Sequence, residues 1–284
     1  MPFRRQIPVL ILIAAFAGAQ NFDKLRIEQV ADHLRYAEGP AWSTEGFLLF
    51  SDTVENKIYK FTPGAPVAEF ARVAGGPIGN AFDAQGRLYT CEFRERRLTR
   101  TAKNGKTEVL AARYESRRLN APNDVAVRHD GQVYFTDPAF GNQQDNRELD
   151  FYGVFHENPR GELEAVAKLQ TRPNGIALSP NGRILYVADS DARLIRAWDL
   201  DHAGAASNPR IFTNKISGVP GGLRTDDKGN VYVAARQIYV YSPQGERLAE
   251  IPMPDRPTNL AFGGADLQTL FVTTRTGLFR VRLK

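Results

Sequence analysis

Three side chains that carry hard oxygen donors, Glu38, Asn123 and Asn174, stand at one position of a pattern that recurs six times along the chain. Each lies eight residues ahead of the opening of an apolar run: Gly46-Phe-Leu-Leu-Phe-Ser-Asp52, Gly131-Gln-Val-Tyr-Phe-Thr-Asp137 and Gly182-Arg-Ile-Leu-Tyr-Val-Ala-Asp189. The same offset in the other copies, which open at Gly86, Gly229 and Asp266, gives Ile78, Gly221 and Thr258. One carboxylate and two amide carbonyls suit Ca²⁺ or another cation that prefers oxygen. Taken singly, an Asn after Pro is a common turn former. It is the shared offset that points to a common site, provided the fold gathers the copies around one axis. Asp124, beside Asn123, is the candidate acid or base, or a group that supports the ligands.

The elements that must do the gathering are strands. The six openings are separated by 40, 45, 51, 47 and 37 residues, and each begins with a turn signal such as His129-Asp130-Gly131 or Pro180-Asn181-Gly182. A second strand follows each opening (Lys57 to Phe61 in the first copy, Ile238 to Tyr241 in the fifth) and a small apolar one precedes it (Ala41-Trp42, Val125-Ala126-Val127). Units of this length with three or four strands are the blades of a β-propeller, so the expected fold is all-β with six blades in one domain over residues 20–284. The last unit stops after three strands, and the alternation from Leu25 to Val30 is expected to supply its outer strand and close the ring. The innermost strands then start on the channel at Glu38, Ile78, Asn123, Asn174, Gly221 and Thr258. Asp52, Glu92, Asp137 and Asp189 end the returning strands on the same face, where carboxylates commonly satisfy turn amides. The longest interval contains Ala139 to Asp150, expected to form a partial lid on that face.

Composition agrees with a folded, turn-rich, strand-rich chain: 42% apolar and 24% charged residues, 24 Gly, 17 Pro, 17 Phe and 10 Tyr in 284 residues. Arg4-Arg5, the apolar run Ile7 to Phe16 and the small residues Ala17-Gly18-Ala19 read as a secretory signal over residues 1–19, too short in its apolar part to span a bilayer. The expected location is therefore the periplasm or beyond, with no membrane attachment after cleavage. The formal net charge is +5, or +3 without that segment, too mild to argue for nucleic acid. Arg94-Glu95-Arg96-Arg97 reads as a solvated turn. The single cysteine, Cys91, has no partner for an intrachain disulfide and reads as a buried strand residue.

Longer strings carry a resemblance. Ala37-Glu38-Gly39-Pro40-Ala41-Trp42, the stretch Arg118-Leu119-Asn120-Ala121-Pro122-Asn123-Asp124-Val125, Tyr134-Phe135-Thr136-Asp137-Pro138, Arg172-Pro173-Asn174-Gly175-Ile176 and Pro257 to Gly264 resemble the gluconolactonase, regucalcin (senescence marker protein) and luciferin-regenerating enzyme family. The resemblance covers about residues 30 to 284. It implies a six-bladed propeller with a divalent cation, usually Ca²⁺, on its axis, and hydrolysis of sugar lactones or related esters. Glu38, Asn123 and Asn174 match three of the family's metal ligands. Where members read Pro-Asp-Gly in the fifth blade, this chain reads Pro220-Gly221-Gly222, so a ligand carboxylate that is also a candidate base is replaced by Gly221; Phe93 stands where similar gluconolactonases often have His. The expected function is a metal-dependent lactonase with a small lactone or sugar acid as its partner. The alternative is a non-catalytic propeller that binds a sugar acid or a partner at the same mouth.

Overall fold

The computed structural model describes residue 22 and residues 25–283. The expected signal segment lies outside them. Six four-stranded antiparallel sheets are arranged as blades, and their inner strands are Ala37–Ser43, Pro77–Phe82, Val125–Val127, Pro173–Leu178, Leu223–Thr225 and Pro257–Gly263. The first blade continues through Phe47–Asp52, Lys57–Phe61 and Ala68–Arg72, and the other blades repeat that order. In the sixth, the outer strand is Ile27–Ala31, which pairs antiparallel with Leu278–Arg282 at the other end of the chain. The ring is thus closed as the unfinished sixth unit requires.

The second strand of each blade reads as a nearly continuous apolar run because both of its faces are covered. In the third blade Val133 and Phe135 pack toward the second blade, whereas Tyr134 between them packs toward the fourth. The fifth blade divides the same way, with Val231 and Val233 on one side and Tyr232 on the other. Six apolar clusters result, one at each interface between consecutive blades. Outer strands are largely exposed, as in Ala68–Arg72, and their weak alternation made them the least legible in sequence. Cys91 is free and buried at the interface of the second and third blades, and burial pushes its thiol pKa up.

Near the axis the blades are tied by hydrogen bonds at one level. Gly79 N–H donates to Asn123 O at 2.9 Å, Gly175 N–H to Gly221 O at 3.1 Å and Gly222 N–H to Thr258 O at 2.8 Å. The remaining joints use side chains: Asn80 Nδ2 donates to Gly39 O, Thr136 Oγ1 to Asn174 O and Thr258 Oγ1 to Ala37 O. This approach is too close for most residues. A Cβ on Gly39, whose φ is +52°, would lie 1.9 Å from Ile78 O.

Candidate axial site

The inner strands, with the two residues ahead of Val125 and of Leu223 in the third and fifth blades, line the channel in successive rings. The first holds Glu38, Ile78, Asn123, Asn174, Gly221 and Thr258; the next holds Gly39, Gly79, Asp124, Gly175, Gly222 and Asn259. Four glycines leave the second ring to two polar side chains. Room for others is lacking, since a Cβ on Gly222 would meet Asn259 Oδ1 at 2.0 Å and one on Gly79 would meet Asp124 Oδ1 at 2.8 Å.

Asp124 is 1% exposed and fully engaged. Oδ1 accepts from Val125 N at 3.0 Å, and Oδ2 accepts from Arg224 Nη1 at 3.1 Å, Ile176 N at 3.3 Å and Asn259 Nδ2 at 3.3 Å. Its oxygens therefore point into a network rather than into open space. Arg224 reaches it from two rings further along the channel, where the equivalent residues are Ala41, Ala81, Ala126, Ala177 and Ala261. Five methyl groups make space for one guanidinium, which also donates to Ile176 O and Leu223 O.

Glu38 sits against this pair. Its Oε2 accepts from Gly39 N at 3.1 Å. Burial is the main cause that pushes the Glu38 pKa up to about 7, with the Asp124 charge acting in the same direction; Gly39 N–H, Asn259 and Arg224 oppose it. A buried carboxylate beside a second one, with a single guanidinium between two charges, lacks positive charge in its surroundings.

The amides of the first ring remain available. The Asn123 side chain makes no hydrogen bond among the described residues and is 9% exposed. Asn174 donates Nδ2 to Ser190 Oγ at 3.1 Å, and Ser190 in turn donates to Pro220 O, which leaves Asn174 Oδ1 without a hydrogen-bond partner among the described residues. A charge-deficient carboxylate with two uncommitted amide oxygens is a hard donor set that fits one divalent cation, although no cluster of three His, Cys, Asp or Glu exists among the described residues.

Gly221 departs from the expected picture in a specific way. Its φ is not positive, but a Cβ there would lie 2.6 Å from Thr258 O, the carbonyl that binds Gly222 N–H. The fifth blade is thus closed against the sixth where the resemblance implies a carboxylate.

The four strand-end carboxylates serve the loops around the site. Asp52 accepts from the Arg35, Val54 and Glu55 amides, Glu92 binds Arg97 and Thr99, and Asp189 binds Thr171, Ala192 N and Arg196. Asp137 accepts from Asn120 N and Ala121 N at 2.7 and 2.8 Å, which fixes the approach to Asn123. Burial nevertheless pushes its pKa up to about 7.

Asn259, Arg224 and Ser190 were not singled out from sequence. The blade alignment contains the signal for the first two: read one residue on, it gives two polar residues among four glycines, and read three residues on, one arginine among five alanines. In the turn at Arg94–Arg97, Arg94 and Glu95 are exposed as expected, but Arg96 is not. The Arg96 side chain is only 11% exposed, because its Nε donates to Leu119 O and its Nη1 to Asn146 O in the long loop.

Comparison with known proteins agrees with this architecture. The family profile described as SMP-30/Gluconolactonase/LRE-like region matches residues 36–276. A gluconolactonase of Zymomonas mobilis is 32% identical over 289 aligned residues, which cover 91% of this chain and 81% of that protein. The solved gluconolactonase of Xanthomonas campestris superposes with a TM-score of 0.85 at 31% identity, over 92% of this chain and 91% of that one. A calcium-binding protein, regucalcin, of Agrobacterium tumefaciens shares the fold with a TM-score of 0.75 at 19% identity, over 89% and 90% of the two chains.

Proposed function

Since the chain belongs to the SMP-30/gluconolactonase/LRE-like family, we propose that it is a divalent-metal-dependent hydrolase of sugar lactones that acts at the axial ring, with Ca²⁺ as the preferred cation. The observation that carries this reading is the first ring: Glu38, a buried carboxylate beside the Asp124 charge, shares it with Asn123 and Asn174, whose amide oxygens have no hydrogen-bond partner among the described residues. Glu38, Asn123 and Asn174 would hold the cation, which would supply Lewis-acid polarisation of the lactone carbonyl.

Lactone opening adds water to the ring carbonyl and breaks the ring carbon–oxygen bond. It yields a carboxylate and a hydroxyl, and one proton is released. Asp124 contributes by position: held by Arg224, Ile176 N and Asn259, it anchors the chain next to Asn123 and adds negative charge beside Glu38 that favours a cation there. The long loop after Asp137 is tied down by Arg96 and by Glu148, whose Oε2 accepts from Arg118 N at 2.7 Å, so it forms a fixed wall on the axial face. Export fits residues 1–19, with their paired arginines, apolar run and small-residue end.

A second reading has its own observation. The absence of the implied fifth-blade carboxylate favours a propeller that binds a sugar acid without turnover, since a side chain at Gly221 would have to displace the Thr258 carbonyl. Acid release from a panel of aldonolactones, with and without chelator, separates the two. Turnover that chelator abolishes and Ca²⁺ restores is the expected result. Saturable binding of gluconate with no lactone opened would establish the second reading instead.

A further inference from the structure

A cavity of about 780 Å³ lies on the axial face between the turn at Phe93 to Arg96 and the long loop of the third blade. Four arginines line it, Arg94, Arg96, Arg118 and Arg147, and one carboxylate, Glu148. Glu148 offsets only one of the four charges. Its Oε2 is taken by Arg118 N–H, and its Oε1 is 4.0 Å from Arg96 Nη1. Arg94 and Arg147 have no ion-pair partner among the described residues; each guanidinium instead lies over a ring, at 5.4 Å from the Phe93 centroid and 4.5 Å from the Tyr152 centroid. Two guanidinium nitrogens in this group, Arg96 Nη2 and Arg147 Nε, are shielded from solvent without any hydrogen-bond partner among the described residues. Guanidinium groups crowded together with unused donors form a site short of an anion. Burial lowers the Arg96 pKa, and the neighbouring Arg118 charge adds to that.

The cavity is joined to the axial ring by one strap. Arg96 Nε holds Leu119 O, the Asp137 carboxylate holds the next two amides, and Asn123 follows at the ring. Its volume lies in the range of small-molecule sites. We propose that this arginine cavity binds an anionic substituent, a carboxylate, phosphate or sulfonate, of the small molecule whose ring lies at the axial site, so that acidic rather than neutral sugar lactones are the preferred class. The inference rests on the lactonase reading for the word lactone and on the arginines alone for the anion.

The test uses the purified chain, inorganic phosphate as the probe at constant ionic strength set with NaCl, and the variants Arg94→Ala and Arg147→Ala, which remove no ion pair. Calorimetry is expected to show saturable phosphate binding in the wild type, weakened about tenfold in either variant at unchanged melting temperature. Absence of saturation, or equal affinity in variants and wild type, overturns the proposal. In the second arm, kcat/KM for glucarolactone is expected to exceed that for gluconolactone at least tenfold, with the ratio collapsing in Arg147→Ala. A protein that opens both lactones equally and binds no phosphate keeps the lactonase reading and loses this one. Saturable phosphate binding that Arg147→Ala abolishes, with no lactone opened, does the reverse.

Discussion

Arg224 Nη1 lies 3.1 Å from Asp124 Oδ2, and the pair, one hundred residues apart in sequence, joins the third and fifth blades across the channel. Asp124 is 1% exposed at its side chain and Arg224 18%, so the pair is largely withdrawn from water. Removing one partner strands the other charge. Arg224→Met is expected to lower unfolding free energy by about 3 kcal/mol and Asp124→Asn by a similar amount. The double variant should lose clearly less than the sum, as a urea-unfolding double-mutant cycle will show.

Glu38→Gln separates cation binding from folding. With chelator present, removing a buried charge next to Asp124 should leave the melting temperature unchanged or raise it. Added Ca²⁺ should stabilise the wild type and have no effect on the variant. A calcium shift of equal size in both proteins would place the cation elsewhere.

Gly221→Asp restores the carboxylate that the family pattern implies, at a position where its Cβ meets Thr258 O at 2.6 Å. Gly221→Ala carries the same Cβ without the charge. Both should cost about 1–3 kcal/mol in chelator, the usual range for overpacking. Only the aspartate should recover stability when Ca²⁺ is added, measured by paired thermal melts.

Glu157 supplies a pH test away from the axis. It is 5% exposed, its Oε2 has no hydrogen-bond partner among the described residues, and burial pushes its pKa up to about 7. A carboxyl whose folded pKa is raised favours the folded state most below its unfolded value, near 4.5, and loses that contribution as pH rises through about 7. Glu157→Gln should therefore gain stability over the wild type at pH 8, on the order of 1 kcal/mol after discounting for solvent screening. At pH 4 the two should melt alike, as calorimetric scans at both pH values will reveal.

Fold and ring level were legible in the sequence because a propeller repeats its local chemistry. Each blade must spend an apolar run on two neighbours and a turn at its edge, so spacing alone located the six units and put Glu38, Asn123 and Asn174 at equivalent positions. The incomplete sixth unit likewise announced that the N-terminal strand would finish it. What the side chains do to one another was decided only by three-dimensional closure. Asp124 reads as a free acid beside a ligand until Arg224 and Asn259 meet it across the channel, and Gly221 reads as a missing ligand until Thr258 O occupies the space of its side chain. Arg96 reads as solvated until the long loop folds over it. These outcomes depend on contacts between residues about 40 to more than 130 positions apart, and the local periodicity that reports strands and turns carries no information about such pairs.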